Sequence, residues 1–299
     1  MRPTCRINAE RAGVVVNAFE EGETVMRGPI ILARSMSIAT RRGKSPVAWQ
    51  YHPRSDSHSK IACWTLLFDL LLECDVAREV AGRGRLGFRI NHRLVGSISK
   101  TLDLVLTVVQ PARTEAKRKT FAELADMLGV VLDDADKAVL DSLPAIYEEL
   151  ADDVSEVAVV VEAKACMTDH VGALPRLHAE ILATGYLAKL AAPHCISVLY
   201  SLVNASPTFV SPAGKGAVNR HNQPADASRV AQMISTAIPA ASNNNQYGYD
   251  TVGMTFVDCR NDGSPVTVVQ TGPAPKRSDH THYERMLVSL CGKFRERRF

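Results

Sequence analysis

Three consecutive residues, Glu162, Ala163 and Lys164, close the most apolar stretch of the chain, the run VAVVVEA from Val157 to Ala163. A continuous apolar run this short reads as a buried strand. Residues two apart on a strand project from one face, so the Glu162 carboxylate and the Lys164 ammonium aim to the same side. Removing such charges from water costs several kcal/mol unless they are paired or bound to a metal. Either the strand end emerges into solvent here, or the charges form a site. Asp103 supplies a second acid inside TLDLVLTVV, where Leu102, Leu104 and Leu106 read as core. Alone, Asp103 reads as a solvent-facing residue on the alternate face of its strand. If the two strands are neighbours, Asp103 and Glu162 converge on a divalent cation that prefers oxygen ligands, with the Ala163 carbonyl as a third ligand and Lys164 alongside.

LDLVL, followed by VVVEAK and an amphipathic helix, resembles the core of the PD-(D/E)XK nucleases, a superfamily that includes type II restriction endonucleases, phage exonucleases, resolvases and repair nucleases. The likeness spans Ser57 to Val203. It implies that Asp103 and Glu162 are the metal-binding acids, Lys164 the catalytic lysine, and Mg²⁺ the cofactor, with Mn²⁺ able to substitute. It also implies a further acid from the helix before the first strand, for which Glu73 is preferred to Glu79. Leu102 stands where the motif has proline, and the interval from Asp103 to Glu162 is long. The QxxxY signature of one exonuclease branch is missing, since Leu182 stands four residues before Tyr186. The resemblance implies Mg²⁺-dependent, site-specific hydrolysis of double-stranded DNA by a homodimer, with a DNA methyltransferase as companion in a restriction-modification system. A structure- or modification-dependent phage or repair nuclease of the same superfamily is one alternative, and a non-catalytic DNA-binding protein is another.

Basic residues gather in Arg83, Arg85, Arg89 and Arg93, a candidate phosphate-binding cluster. Lys215, Arg220, Asn222 and Gln223, with His221 and Asn243 to Gln246, are loop side chains able to read base edges, since Arg pairs with guanine and Asn or Gln with adenine. His178 and Glu180, on the helix after the EAK strand, read first as surface or core residues and otherwise, with Arg176, as contacts to a bound phosphate. His280 and His282 read as helix-start residues, and AGKGA around Lys215 lacks P-loop spacing.

These residues need a scaffold, and the patterning supplies an α/β fold with a mixed central sheet flanked by helices and carrying a helical insertion over residues 115–153. The 299 residues are 46% hydrophobic and 22% charged with net charge +3, which excludes disordered and fibrous classes. Strands are expected at Gly13 to Ala18, Leu86 to Ile90, Thr101 to Val109, Val157 to Ala163, Ile196 to Val203, Val252 to Asp258 and Pro265 to Val269. Pro29 to Ala33 is a further apolar stretch. Helices are expected at Ile61 to Val80 with Ser57 or Ser59 as cap, from Thr120, from Asp133 to about Leu150, at Leu174 to Leu190, Ala227 to Ile238 and Thr281 to Arg297. Asp69, Glu73 and Glu79 are placed on a polar edge of the first of these. The strand, helix, strand order around residue 180 implies a parallel crossover. Residues 1–56 read as an N-terminal segment and candidate DNA-contacting or dimerisation arm, 57–203 as the nuclease core, and 204–299 as the part completing the fold with recognition loops. Seven scattered cysteines without finger spacing read as free thiols in a reducing cytoplasm. No apolar stretch is long enough to span a membrane.

Overall fold

The computed structural model describes residues 26–43, 46–94, 99–108, 118–149, 156–214, 216–237 and 248–297. The first half runs α1 (Arg27–Met36), β1 (Thr40–Arg41), β2 (Ala48–Trp49), α2 (Ser57–Glu73), α3 (Asp75–Gly82), β3 (Leu86–Leu94), β4 (Lys100–Val108), α4 (Phe121–Leu128), α5 (Asp134–Ser142) and β5 (Tyr147–Glu148). The second runs β6 (Val157–Cys166), α6 (His170–Ala191), β7 (Ile196–Asn204), β8 (Thr208–Ser211), β9 (Ala217–Arg220), α7 (Ala225–Ser235), β10 (Thr251–Asp258), β11 (Thr267–Val269) and α8 (Tyr283–Glu296).

The β-branched runs assemble into one mixed seven-stranded sheet, ordered β11-β10-β7-β6-β4-β3-β5. β6, β7 and β10 are parallel, and β4 runs antiparallel to both β3 and β6. Central strands are apolar on both faces, β7 being buried along all nine residues, because helices cover the sheet on either side. α1, α2 and α8 pack on one face. α2 is apolar nearly all round, with Trp64, Leu67, Phe68 and Leu71 buried, as a helix enclosed by sheet and other helices must be. α6 and α7 cover the other face through Leu177, Ile181, Val230 and Ile234.

One core cluster extends from Ile31 on α1 to Phe294 on α8, so the three sequence segments share a core, while the seven-stranded sheet takes its strands from the second and third and β1–β2 form a sheet of their own. The insertion is part of the core: Phe121 stacks on Trp64 with ring centroids 4.5 Å apart, and the Trp64 indole N–H donates to the Phe121 carbonyl at 3.0 Å. Both of its helices open on capping boxes, Thr120 with Glu123 and Asp133 with Asp136.

Several expectations change. Pro29 to Ala33 belongs to helix α1. The single helix over Ile61 to Val80 is two, because Cys74 takes extended backbone and its sulfur is joined to Cys291 of α8; this pair overturns the reading of all thiols as free. Cys63, Cys166, Cys195 and Cys259 are free and buried. Asp56, not a serine, precedes α2. α5 stops at Ser142, short of Leu150, because Pro144 drives Leu143 into extended backbone. α6 starts at His170, where the Asp169 carboxylate accepts the Gly172 N–H at 2.9 Å. The expected loop after Asn204 contains the β8–β9 hairpin. The Gly13 to Ala18 strand and Asn243 to Gln246 lie outside the described residues. No helix among the described residues is long and apolar enough to cross a membrane.

Asp69 is fully buried, not on a polar edge. It accepts the Gly28 N–H at 2.8 Å, joining α1 to α2. A Cβ at Gly28 would lie 2.6 Å from both the Asp69 carboxylate and the Tyr283 hydroxyl and 2.9 Å from the Thr65 carbonyl, so only glycine allows this approach. Burial pushes the Asp69 carboxyl up to about 7, against the Gly28 and Tyr283 donors, which favour the charged form. Between its ordinary value and about 7 the folded state holds a proton that the unfolded state has released, so Asp69 makes stability fall as pH rises across that window. Asp69→Asn is expected to flatten this slope, measured as urea midpoints from pH 4 to 8. A mutant slope equal to the wild type would refute the assignment.

Candidate active site

The β4–β6 ladder pairs Val105 with Val160 and Leu104 with Val161, then stops one residue before Asp103 and Glu162 would face each other. On the opposite side β3 pairs Ile90 with Leu104 and His92 with Leu102, skipping Asn91, which sits in the left-handed region at φ 54° and donates to Asp56 at 3.1 Å. Asp103 is therefore left out of both flanking ladders. Its carboxylate takes the place of a ladder acceptor and receives the Ala163 N–H at 2.8 Å. A strand residue's N–H and C=O project toward the same neighbour, so the Ala163 carbonyl also faces β4 and the opening beside Asp103.

Glu162 is 2% exposed, which overturns the reading of a strand end in solvent. Its Oε1 lies 2.8 Å from the Lys164 ammonium and 3.3 Å from that of Lys100, and its Oε2 is buried with no hydrogen-bond partner. Lys164 also reaches Glu180 of α6 at 3.5 Å. Burial, then the charge of Glu162, pushes the Asp103 carboxyl up to about 6, against the Ala163 N–H and the Lys164 charge. Burial alone would depress Lys164, but Glu162, followed by Glu180 and Asp103, raises its ammonium above the ordinary lysine range. Asp103, Glu162 and Lys164 thus form one electrostatic unit, which Glu180 and Lys100 extend.

Glu162 and Lys164 lie in the C-terminal half of β6, opposite Leu199 and Ser201 in the middle of β7. A cavity of about 30 Å³, room for one water-sized guest, lies beside the unit between His58, Ser59 and Ala62 of α2 and Ala163, Lys164 and Ala165 of β6. A larger cavity of about 110 Å³, bounded by Met254, Phe256, Val268 and Tyr283, lies toward the far edge of the sheet and includes none of these charges.

Other residues fall differently. Glu73 is exposed at the opposite end of α2 from Ser59, fourteen residues or about 21 Å along the axis, and does not join the acids. The arginine cluster is divided by the extended strand between its members. Arg83 pairs with Glu79, and Arg85 precedes the β3 end that pairs with Val108. Arg89 donates to the Glu149 carbonyl at 2.5 Å, while exposed Arg93, paired with Thr101, lies at the Asp103 end. Gln223 is occupied within the fold, donating to the Asn204 carbonyl and accepting from Ala227. The Asn222 N–H donates to Asp226. Arg220 is exposed on β9, and Lys215 lies outside the described residues. The β8–β9 hairpin is held at the site edge, where Asn219 donates to the Thr168 carbonyl two residues beyond β6. His282 caps α8.

Among the described residues, the one group of three ligand-type atoms from His, Cys, Asp or Glu within 4.8 Å is Cys74, Asp75 and Cys291, whose two sulfurs are joined and whose carboxylate pairs with Arg295. Lys100 had no motif to mark it; its place three residues before Asp103 gains meaning only from the strand register. No protein-family model, curated protein or solved structure matches this chain.

Lys164→Met removes the closest counter-charge of a buried carboxylate and is expected to destabilise the protein by about 3 kcal/mol, the scale for breaking a buried pair. Lys100 is the more exposed and more distant partner, so Lys100→Met should cost about 1 kcal/mol. Equal losses in urea unfolding would contradict this ranking.

Proposed function

We propose that this chain is a Mg²⁺-dependent, site-specific endonuclease that hydrolyses phosphodiester bonds of double-stranded DNA, a PD-(D/E)XK nuclease of the type II restriction kind. The observation that carries this reading is the buried Glu162 carboxylate with one oxygen lacking a partner, beside an Asp103 carboxylate drawn out of the sheet ladder. A buried charged oxygen with no partner is costly unless a ligand completes it. Two carboxylates and the Ala163 carbonyl are hard oxygen donors, the set that suits Mg²⁺ and admits Mn²⁺. Bound there, the ion would supply Lewis-acid polarisation of the phosphate and neutralise charge on the departing oxygen.

The chain's own residues do the rest. In hydrolysis a water oxygen bonds to phosphorus, an ester P–O bond breaks, and the leaving oxygen takes up a proton. Lys164, kept charged by three surrounding carboxylates, serves as a fixed cation that orients the water and holds negative charge growing on the phosphoryl oxygens, rather than as a base. Glu180 positions Lys164 from α6. Arg93 and Arg220, exposed on elements that reach the same sheet edge, are placed to contact phosphates on the duplex. A partner methyltransferase would protect host DNA if the enzyme belongs to a restriction-modification system.

The purified protein incubated with unmethylated phage-length duplex and Mg²⁺ is expected to yield discrete fragments, and none with EDTA. Glu162→Ala and Lys164→Ala should each lower the rate by about 10²- to 10³-fold, the scale of losing one preorganised charge-stabilising group. Cleavage only of modified or branched DNA would favour the structure- or modification-dependent nuclease. Metal-independent binding without cleavage of any substrate would favour a non-catalytic DNA-binding protein.

A further inference from the structure

Two ammoniums converge on one oxygen of Glu162, while its other oxygen is buried without a partner. The two lysines differ in how firmly they are held. Lys164 comes from the same strand, stands 2.8 Å from Glu162 Oε1, reaches Glu180 at 3.5 Å and is 17% exposed. The charge of Asp103 acts on it as well. Lys100 comes from the first residue of β4, on the last rung of the β3–β4 ladder, where it pairs with Leu94. Its ammonium lies 3.3 Å from Glu162 Oε1, its side chain is 29% exposed, and Glu162 is its one ion-pair partner among the described residues.

Charge decides what this pairing is for. In their charged forms Asp103, Glu162 and Glu180 set three negative charges against the two lysines. A divalent cation held by Asp103 and Glu162 would leave the cluster positive by one charge with both lysines in place, and neutral with one of them gone. Repulsion between an ion and an ammonium on the same carboxylate is strong where water is scarce. Lys100 has the single, longer contact and the greater access to water, and its flexible four-carbon stem can carry the charge outward without moving the strand. Departure of Lys164 would instead uncover Glu180 and Asp103 together. A buried carboxylate that awaits an ion also needs a counter-charge in the ion's absence, since an unpaired buried charge is strongly destabilising.

We propose that Lys100 is an exchangeable counter-ion: its ammonium neutralises Glu162 in the metal-free protein and yields that carboxylate to a divalent cation, so that Lys100 sets the metal affinity of the site. The exchange rests on the nuclease reading for the ion at Asp103 and Glu162. It adds the charge that holds the slot until the ion arrives, and it divides the labour of the two lysines, Lys164 fixed and Lys100 released. Other roles for Lys100 give different outcomes on truncation. A lysine that serves folding alone leaves metal affinity unchanged, and one that anchors a ligand of the ion weakens it.

Mn²⁺ alone serves as the probe, titrated calorimetrically into the full chain at about pH 8 without DNA, with circular dichroism confirming that each variant is folded. Lys100→Met is expected to bind Mn²⁺ at least about tenfold more tightly than the wild type, the scale of one neighbouring charge removed from a partly buried site. Lys100→Gln, the milder change, should do the same, and Lys100→Arg, which keeps the charge, should stay within about threefold of the wild type. Adding Glu162→Gln to Lys100→Met should abolish the gain, which places the ion at Glu162. Unchanged or weaker binding in both Lys100→Met and Lys100→Gln overturns the proposal, as does a gain that survives Glu162→Gln or one that Lys100→Arg shares. Absence of Mn²⁺ binding in every variant overturns it together with the metal site. Cleavage of DNA by a wild type whose Lys100→Met form binds Mn²⁺ no better counts against the exchange alone, and tighter binding in a protein that cleaves no DNA counts against the nuclease reading alone.

Discussion

The arrangement depends on one carboxylate that the fold has taken out of water. Glu162 sits within β6, a strand buried along most of its length, and the cost of desolvating its carboxylate is offset by Lys164 and Lys100, which share one of its oxygens. That requirement reaches into three elements. β6 must carry Glu162 and Lys164 on one face, β4 must bring Lys100 and Asp103 alongside, and α6 must return across the sheet to set Glu180 against Lys164. The parallel crossover from β6 through α6 to β7 meets the last condition, since it lays the helix that follows the motif back over the same strand.

The ladder gives way at the same place. Asp103 pairs with neither neighbour, and the backbone group its absence would leave unpaired, the Ala163 N–H, is satisfied by the Asp103 side chain itself. On the β3 side the accommodation is Asn91, a residue type that tolerates left-handed backbone through local hydrogen bonding. A strand that parts from its neighbours without leaving the Ala163 N–H unsatisfied makes room for a carboxylate inside an apolar sheet. Conformational outliers of this kind concentrate at functional sites, where surrounding structure over-determines them.

Rigidity comes from the opposite face. α2 contributes its N-terminal end to the site cavity and is fixed by packing along its length, by Asp69 to α1, and by Trp64 to the α4 segment. Arg34 of α1 meets Asp133 and Asp136 at the start of α5. The insertion between the two acidic strands thus braces the helix that walls the site, and its edge strand β5 extends the sheet beside β3.

The sequence by itself determined the long central strands and the acids set into them. Apolar runs such as VAVVVEA and TLDLVLTVV have few other stable fates, and an acid within each was legible because charge there must be compensated. Capping boxes at Thr120 and Asp133 were equally local and equally readable. Tertiary structure alone decided what was near what. Lys100 and Glu180 join the site through strand register and a helix crossover, neither of which leaves a mark in residue spacing. Asp69 reads as a surface acid until packing encloses it. The four arginines from Arg83 to Arg93 read as one patch because they are close in sequence, but a nine-residue strand is about 27 Å long and divides them. The break at Cys74 and its bond to Cys291 join points 217 residues apart, a proximity that arises only when α8 packs against α3. Local chemistry is written in the sequence because it depends on neighbours in the chain; the site depends on neighbours in space.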